Sequence, residues 1–280
     1  MPAIAFADIG KRAKGLLSGD AATGTVSLAP SLTVAGSTSS GVNLTLKAAQ
    51  KGEKLDGSLK AAYSSGRVAV DATAPTDGKI SINASLSGVG PGVKVTASAT
   101  LPDPASSAKL TAEYSTDTLA AKAIVSLSAT PVVELALGTA VSGILLGGEA
   151  GYDSATAALT KYTITAGLHA ADYQATASVA DQGQTLKLSY VHTLSPAATV
   201  GAELSRKIAG ADTGSTSFAL AYGRALVNGA TAKVRLDSTG ALQALYMTKL
   251  AGGEKLTGSL QLQATDLAKG GLKYGFALEL

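Results

Sequence analysis

The stretch GLKYGFALEL, residues 271–280, decides the fold. Leu272, Tyr274, Phe276, Leu278 and Leu280 fall on one parity, and Lys273, Gly275, Ala277 and Glu279 on the other. Such a period of two is that of a β-strand with one apolar and one polar face. Five large apolar side chains beside an unpaired edge would template aggregation. The strand therefore needs a partner along its edge and an apolar medium against its face.

The same alternation runs through most of the chain. KLTGSLQLQAT (255–265) sets Leu256, Leu260 and Leu262 against Lys255, Thr257, Ser259, Gln261 and Gln263. Val42, Leu44 and Leu46 oppose Asn43, Thr45 and Lys47, and Val234 and Leu236 oppose Lys233, Arg235 and Asp237. From Thr25 onward we read nineteen such runs, broken by Gly, Asp, Asn, Pro or Ser, with no helical pattern between them. A membrane-crossing strand of about 9–11 residues plus a turn of two to five also fits about nineteen times into this length. Repeated strand–turn units imply one antiparallel sheet. Nineteen strands exceed what an open twisted sheet usually holds, and closure removes both edges. A closed sheet this wide encloses water, so its polar face points inward and its apolar face meets lipid. The expected fold is all-β: a transmembrane barrel of about 19 strands. Because the count is odd, the first strand (Thr25–Val34) pairs in parallel with the last (Gly271–Leu280). The expected organisation is residues 1–24 as an N-terminal helix with a glycine-containing linker and 25–280 as the barrel.

Composition agrees. Apolar residues make up 46% of the 280 and mean hydropathy is +0.24, yet no run approaches 18 apolar residues, which excludes a transmembrane helix. Three Phe and no Trp argue against an aromatic-filled core. No Cys is present, so thiolate metal sites, disulfides and Cys nucleophiles are excluded. No apolar leader with a small-residue cleavage site is evident, so bacterial-style secretion is not expected. His169 and His192 stand on separate runs without spaced partners and read as satisfied strand residues. Neither a Walker A motif nor HExxH occurs, and GVGPG (88–92) reads as a hairpin turn. The glycosylation-like Asn43-Leu-Thr45 and Asn83-Ala-Ser85 read as chance matches. No cofactor, metal or catalytic residue is expected. Tyr63, Tyr114 and Tyr173 lie at one rim of the expected barrel, and Tyr152 and Tyr162 at the other, as interfacial girdles would; the general preference of Tyr for strands is an equally good reading.

AFADIGKRAKGLLSGD (5–20) breaks the alternation. Phe6, Ile9, Ala13, Leu16 and Leu17 recur at helical spacing, with Asp8, Lys11, Arg12 and Lys14 on the other face. Asp8 falls in the first turn, where a carboxylate complements the dipole, and Gly19 can end the helix. Gly15 and Gly24 would keep the segment pliable. A cleavable targeting peptide, a helix on the membrane surface and a helix in the lumen are the three readings. The narrow apolar stripe suits the lumen, with Ile9, Ala13 and Leu16 on the wall and Lys11, Arg12 and Lys14 toward a passing anion.

Parity also assigns the charges. Lys47, Lys60, Arg67, Lys79, Lys94, Lys122 and Lys161 point inward, as do Lys187, Lys207, Lys233, Arg235, Lys249, Lys255 and Lys273. Asp56, Asp71, Glu113, Glu134, Glu203, Asp237 and Glu279 join them. Wall charges set pore selectivity, and screening over roughly 8 Å leaves the axis of a wide pore weakly biased. A mild preference for anions follows. The dispersed bases and the net charge of +3 give no footprint of sequence-specific nucleic-acid binding.

The chain resembles the voltage-dependent anion channels of the mitochondrial outer membrane, the eukaryotic porins, in their plant-like members. FADIGKRAK (6–14) is similar to the start of that family's N-terminal helix, GYDSATAALTKYTITAGL (151–168) to its mid-chain signature, and KYGFALEL (273–280) to the sorting signal of mitochondrial barrels. The resemblance implies a nineteen-stranded barrel in that membrane with no enzyme activity. It also implies ATP, ADP and phosphate as permeants, voltage gating, and homo-oligomers or cytosolic kinases as partners. Many family members carry a membrane-facing acid in the fourth strand. Here Asp71 shares its parity with Arg67, opposite Val68 and Val70, and reads as a lumen residue. A nucleotide-linked Gly-Leu-Lys element reads Gly92-Val93-Lys94, and Lys94 is kept as a lumen base. A protein-import pore of the same fold and a non-channel β-rich surface or adhesin protein are the alternative readings. The base-rich lumen speaks against the first, and solubility without detergent would mark the second.

Overall fold

The computed structural model describes residues 3–17, 28–52, 54–263 and 272–280. Nineteen strands form one closed barrel. They are β1 (Ser31–Ser37), β2 (Val42–Lys51), β3 (Lys54–Ser65), β4 (Val68–Pro75), β5 (Ile80–Ser87), β6 (Val93–Leu101), β7 (Lys109–Ser115), β8 (Ala120–Ser126) and β9 (Val132–Val141). The chain continues through β10 (Ile144–Asp153), β11 (Ala158–His169), β12 (Tyr173–Ala180), β13 (Thr185–Ser195), β14 (Ala198–Lys207) and β15 (Thr216–Ala225). It ends with β16 (Thr231–Asp237), β17 (Ala241–Lys249), β18 (Lys255–Gln263) and β19 (Leu272–Glu279). Chain neighbours pair antiparallel, and the first strand pairs with both β2 and β19. An odd number of alternating strands makes the β1–β19 pair parallel, as the alternation requires.

β1 begins at Ser31, not at Thr25. Pro30 lacks an N–H for the ladder, so the strand starts after it. Residues 25–27 of the expected first strand lie outside the described residues, as do Gly19, Gly24 and Gly271. The N-terminal segment is helical but not continuous. A 3₁₀ turn (Phe6–Asp8) and a seven-residue helix α1 (Lys11–Leu17) flank Gly10, whose φ of 76° only glycine adopts without strain. Asp8 therefore precedes α1 instead of lying in its first turn, and its carboxylate takes the Lys11 ammonium at 2.9 Å. No described helix is long and apolar enough to cross a membrane.

Backbone contacts group the strands into two compact units, Met1–Phe6 with Thr33–Ile164, and Ala7–Leu32 with Thr165–Leu280. In the first, register carries one polar face from strand to strand. Lys47 lies opposite Ser58, Asp71 opposite Asn83, Lys94 opposite Glu113, and Glu113 opposite Lys122. In the second, the same face carries Lys187 opposite Ser205, Gly223 opposite Lys233, and Gln261 opposite Lys273. The other face is apolar and uncovered: Leu46, Leu135, Ile164 and Phe276 are each at least half exposed. Among the exposed large apolar residues on strands, Leu159 alone has the polar parity. All nine tyrosines carry apolar-face parity.

One hairpin carries a pH prediction. Asp181, in the turn between β12 and β13, accepts hydrogen bonds from Thr185 Oγ1 at 2.5 Å and Lys207 Nζ at 3.1 Å. The Thr185 hydroxyl first, and Lys207 second, hold its carboxyl below the usual aspartate range. A depressed folded value means stabilisation that is present above the unfolded value and lost as pH falls through the folded one. The detergent-solubilised protein should melt above its Asp181→Asn variant at neutral pH. Circular dichroism should show that gap closing below about pH 4.

Candidate functional site

A seven-residue helix is too short to persist alone in water, so α1 depends on the wall it touches. It packs on β13, β14 and β15, on their polar-parity face. Ala13, Leu16 and Leu17 are buried against Val191, Ala219 and Ala221. Close approach is possible because the wall carries glycine there. A Cβ at Gly201 would lie 2.8 Å from Leu16 Cδ2, and one at Gly223 2.8 Å from Leu16 Cδ1. Ile9, at the turn before the helix, is buried as well. Truncating a buried leucine such as Leu16 to alanine costs about 2–5 kcal/mol, enough to free so short an element.

Polar contacts fix the helix's azimuth. Arg12 Nη2 donates to Thr193 Oγ1 at 2.9 Å. Lys233 Nζ donates to the Gly15 carbonyl at 2.8 Å, placing a cation where the helix end leaves its carbonyls unpaired. Of the three helix bases, Lys11 pairs with Asp8, Arg12 is docked on the wall, and Lys14 is exposed without a partner among the described residues. Arg12 is thus an anchor, where the sequence spacing had it turned toward the passing anion. Lys11, Arg12, Thr193, Thr199 and Lys233 line a groove of about 360 Å³ between helix and wall.

The remaining strand bases are dispersed over the polar-parity face. Lys60 lies 3.6 Å from Asp71, Lys122 3.0 Å from Glu113, and Lys255 3.3 Å from Glu279. Arg235 donates to Gln243 at 3.2 Å and approaches Asp237 at 3.8 Å. Lys47, Lys94 and Lys187 make no ion pair among the described residues. Lys273 takes the same face of β19, opposite Gln261. Lys79 and Arg67 are displaced from their expected strands into links. Lys79 precedes β5, its N–H held by Asp77, and Arg67 sits in the β3–β4 turn with its guanidinium on the Gly88 carbonyl. The turn residues Gly78 and Gly66, both at positive φ, set those boundaries.

Sequence parity passed over several charges that the register adds, Lys54, Lys109, Glu149 and Asp153 among them. Lys109 lies opposite Ser98 and Ser126, and Glu149 lies 3.6 Å from Lys161, which also meets Glu134 at 2.7 Å. Parity with Glu113 and with Gly147 was the available signal for Lys109 and Glu149 respectively. The glycine cradle under Leu16 had no such signal.

A family model described as eukaryotic porin matches residues 3–275. The chain belongs to the eukaryotic porin family. It is 34% identical to mitochondrial outer membrane protein porin 5 of Oryza sativa subsp. japonica, covering 98% of this chain and 96% of that protein. Porin 6 of the same plant is 30% identical over 84% of this chain and 83% of its own length. Porin 4 of Arabidopsis thaliana is 27% identical over 84% and 82%. The eukaryotic porin described here is a pore-forming channel embedded in the mitochondrial outer membrane. It passes small solutes, and its family and fold are those of a channel and not of an enzyme.

The docking geometry of this porin is open to a direct test. Joint substitution of Gly201→Val and Gly223→Val should push Leu16 out of its cradle. Hydrogen exchange at the amides of residues 14–17 should rise at least tenfold, while β13–β15 stay protected. Unchanged exchange would mean that the glycines do not seat the helix.

Proposed function

We propose that this porin is a diffusion channel for small anions and metabolites, ATP, ADP and phosphate among them, with a weak anion preference and voltage-dependent closure. The observation that carries the reading is the pairing of faces. One face of the sheet is mostly apolar and carries the exposed large apolar side chains, and the face opposite it collects the lysines and receives α1. With the apolar face in lipid, the polar face lines the water-filled passage.

The pore-lining set is then Lys47, Lys60, Lys94, Lys122, Lys187, Lys233, Arg235, Lys255 and Lys273 on the wall, with Lys11, Arg12 and Lys14 on the helix. Lys79 stands at a mouth. Ion pairs cancel part of this charge at short range, and the unpaired Lys47, Lys94, Lys187 and Lys14 leave a net positive field. Screening over roughly 8 Å confines that field to the wall, so anions are favoured and cations still pass. The groove beside α1 concentrates the effect, since Lys11, Arg12 and Lys233 converge there over little water. Residues 1–24 act as one element on the barrel of residues 25–280. Undocking of its short helix supplies the closure step.

Two measurements test this reading. In planar bilayers under a KCl gradient, refolded protein should give a reversal potential on the chloride side. Charge reversal at Lys47, Lys94 and Lys187, none of which anchors the helix, should move it toward potassium. A reversal potential indifferent to all three would place these side chains away from the passage. Separately, deletion of residues 2–17 should raise single-channel conductance or abolish voltage-dependent closure. Wild-type conductance and gating in the truncated channel would remove the helix from the mechanism.

A further inference from the structure

The apolar face of the strands is nearly free of charge, and its exceptions are placed. Among the described strand residues, the ionisable side chains on that parity, tyrosine aside, are His192, Arg206 and Arg224. All three lie on β13–β15. His192 is spoken for: its Nδ1 meets Tyr190 Oη at 3.3 Å, with the two rings stacked. The two arginines are exposed, and neither has an ion pair or side-chain hydrogen bond among the described residues.

Their surroundings show which medium they meet. Arg224 lies opposite Ala198 on one side and Ala232 on the other, two residues beyond Tyr222. The groove beside α1 opens at the same strand end and reaches Arg224. Arg206 lies opposite Leu186 and Thr216, and the next residue, Lys207, already bonds the Asp181 turn. Each guanidinium thus has apolar residues on one side and water on the other.

Their separation brings each within side-chain reach of a different headgroup layer. Arg206 pairs with Thr216, and Arg224 lies eight residues further along the same strand. At about 3.3 Å per residue this is about 26 Å along β15. With the usual tilt of roughly 40° it is about 20 Å across the membrane. The apolar band of such barrels is about 25 Å tall, and an arginine stem lies along apolar surface while its head reaches for water. Both guanidinium groups therefore reach phosphate depth, one in each leaflet.

We propose that β14 and β15 carry two binding sites for anionic phospholipid, one per leaflet, in which Arg224 and Arg206 each hold a headgroup phosphate. Guanidinium matches phosphate in a planar, two-bond geometry, and no carboxylate among the described residues pairs with either arginine. A headgroup without a choline cation of its own leaves that phosphate charge for the arginine. Tyr222 beside Arg224, and Leu186 beside Arg206, offer the surface along which an acyl chain packs. The proposal rests on the membrane-spanning barrel and is independent of ion preference.

Native mass spectrometry of the full chain, released from nanodiscs of equal phosphatidylcholine and phosphatidylglycerol, tests it. The wild type should retain up to two phosphatidylglycerol adducts in preference to phosphatidylcholine. Arg206→Ala and Arg224→Ala should each remove one, and the double variant should lose at least fivefold in total retention. Circular dichroism confirms that the variants remain folded. Equal retention by the double variant, or no lipid preference in the wild type, overturns the proposal. So does displacement of the adducts by inorganic phosphate at matched ionic strength, which would make the arginines sites for soluble phosphate.

Discussion

The constraint on which this structure depends is the lack of water inside a bilayer. Each backbone N–H and C=O at that depth must find a partner within the protein, and an open sheet leaves two edges unpaired. Closure of β1 onto β19 removes both. Because the strand count is odd, closure brings a parallel pair into a sheet whose other neighbours are antiparallel. The apolar parity, the tyrosines confined to it and the polar parity behind it all follow from one sheet facing two solvents.

Such a wall has no ordinary core. Its side chains do not pack between layers, and the large apolar ones are exposed to whatever surrounds the barrel. Close packing is concentrated where α1 meets β13–β15, and there it resembles a small globular interior, with Val191 only 1% exposed. The short helix contributes Ala13, Leu16 and Leu17, and the wall contributes alanine and glycine, so that volume is shared without a clash. Dependence is one-sided. The strands keep their ladder hydrogen bonds without the helix, whereas the helix has little stability of its own. An element of that kind is suited to move.

Lys233 links the helix to the charges. Its ammonium is one of the bases of the polar face and also the donor that closes the C-terminal end of α1. A change in the charge at this residue alters both the field and the docking. Lys60, Lys122 and Lys255 are each paired across neighbouring strands with an acid, and such exposed pairs add little to stability.

Much of this was legible in residue order. Parity is local: a residue's face on a strand depends only on the count from its neighbour. The polar positions of Lys47, Lys94, Lys187 and Asp71, and the apolar ones of Leu272 to Leu278, could therefore be read directly. Strand ends were less legible, because Pro30 and the positive-φ glycines moved β1, Arg67 and Lys79 by a few residues. The contact of Leu16 with Gly201 and Gly223, and of Arg12 with Thr193, joins residues more than 180 apart, and no periodicity encodes it. Periodicity told which way a side chain points. Only the folded barrel decided what lies in front of it, because closure brings together strands that the chain itself keeps far apart.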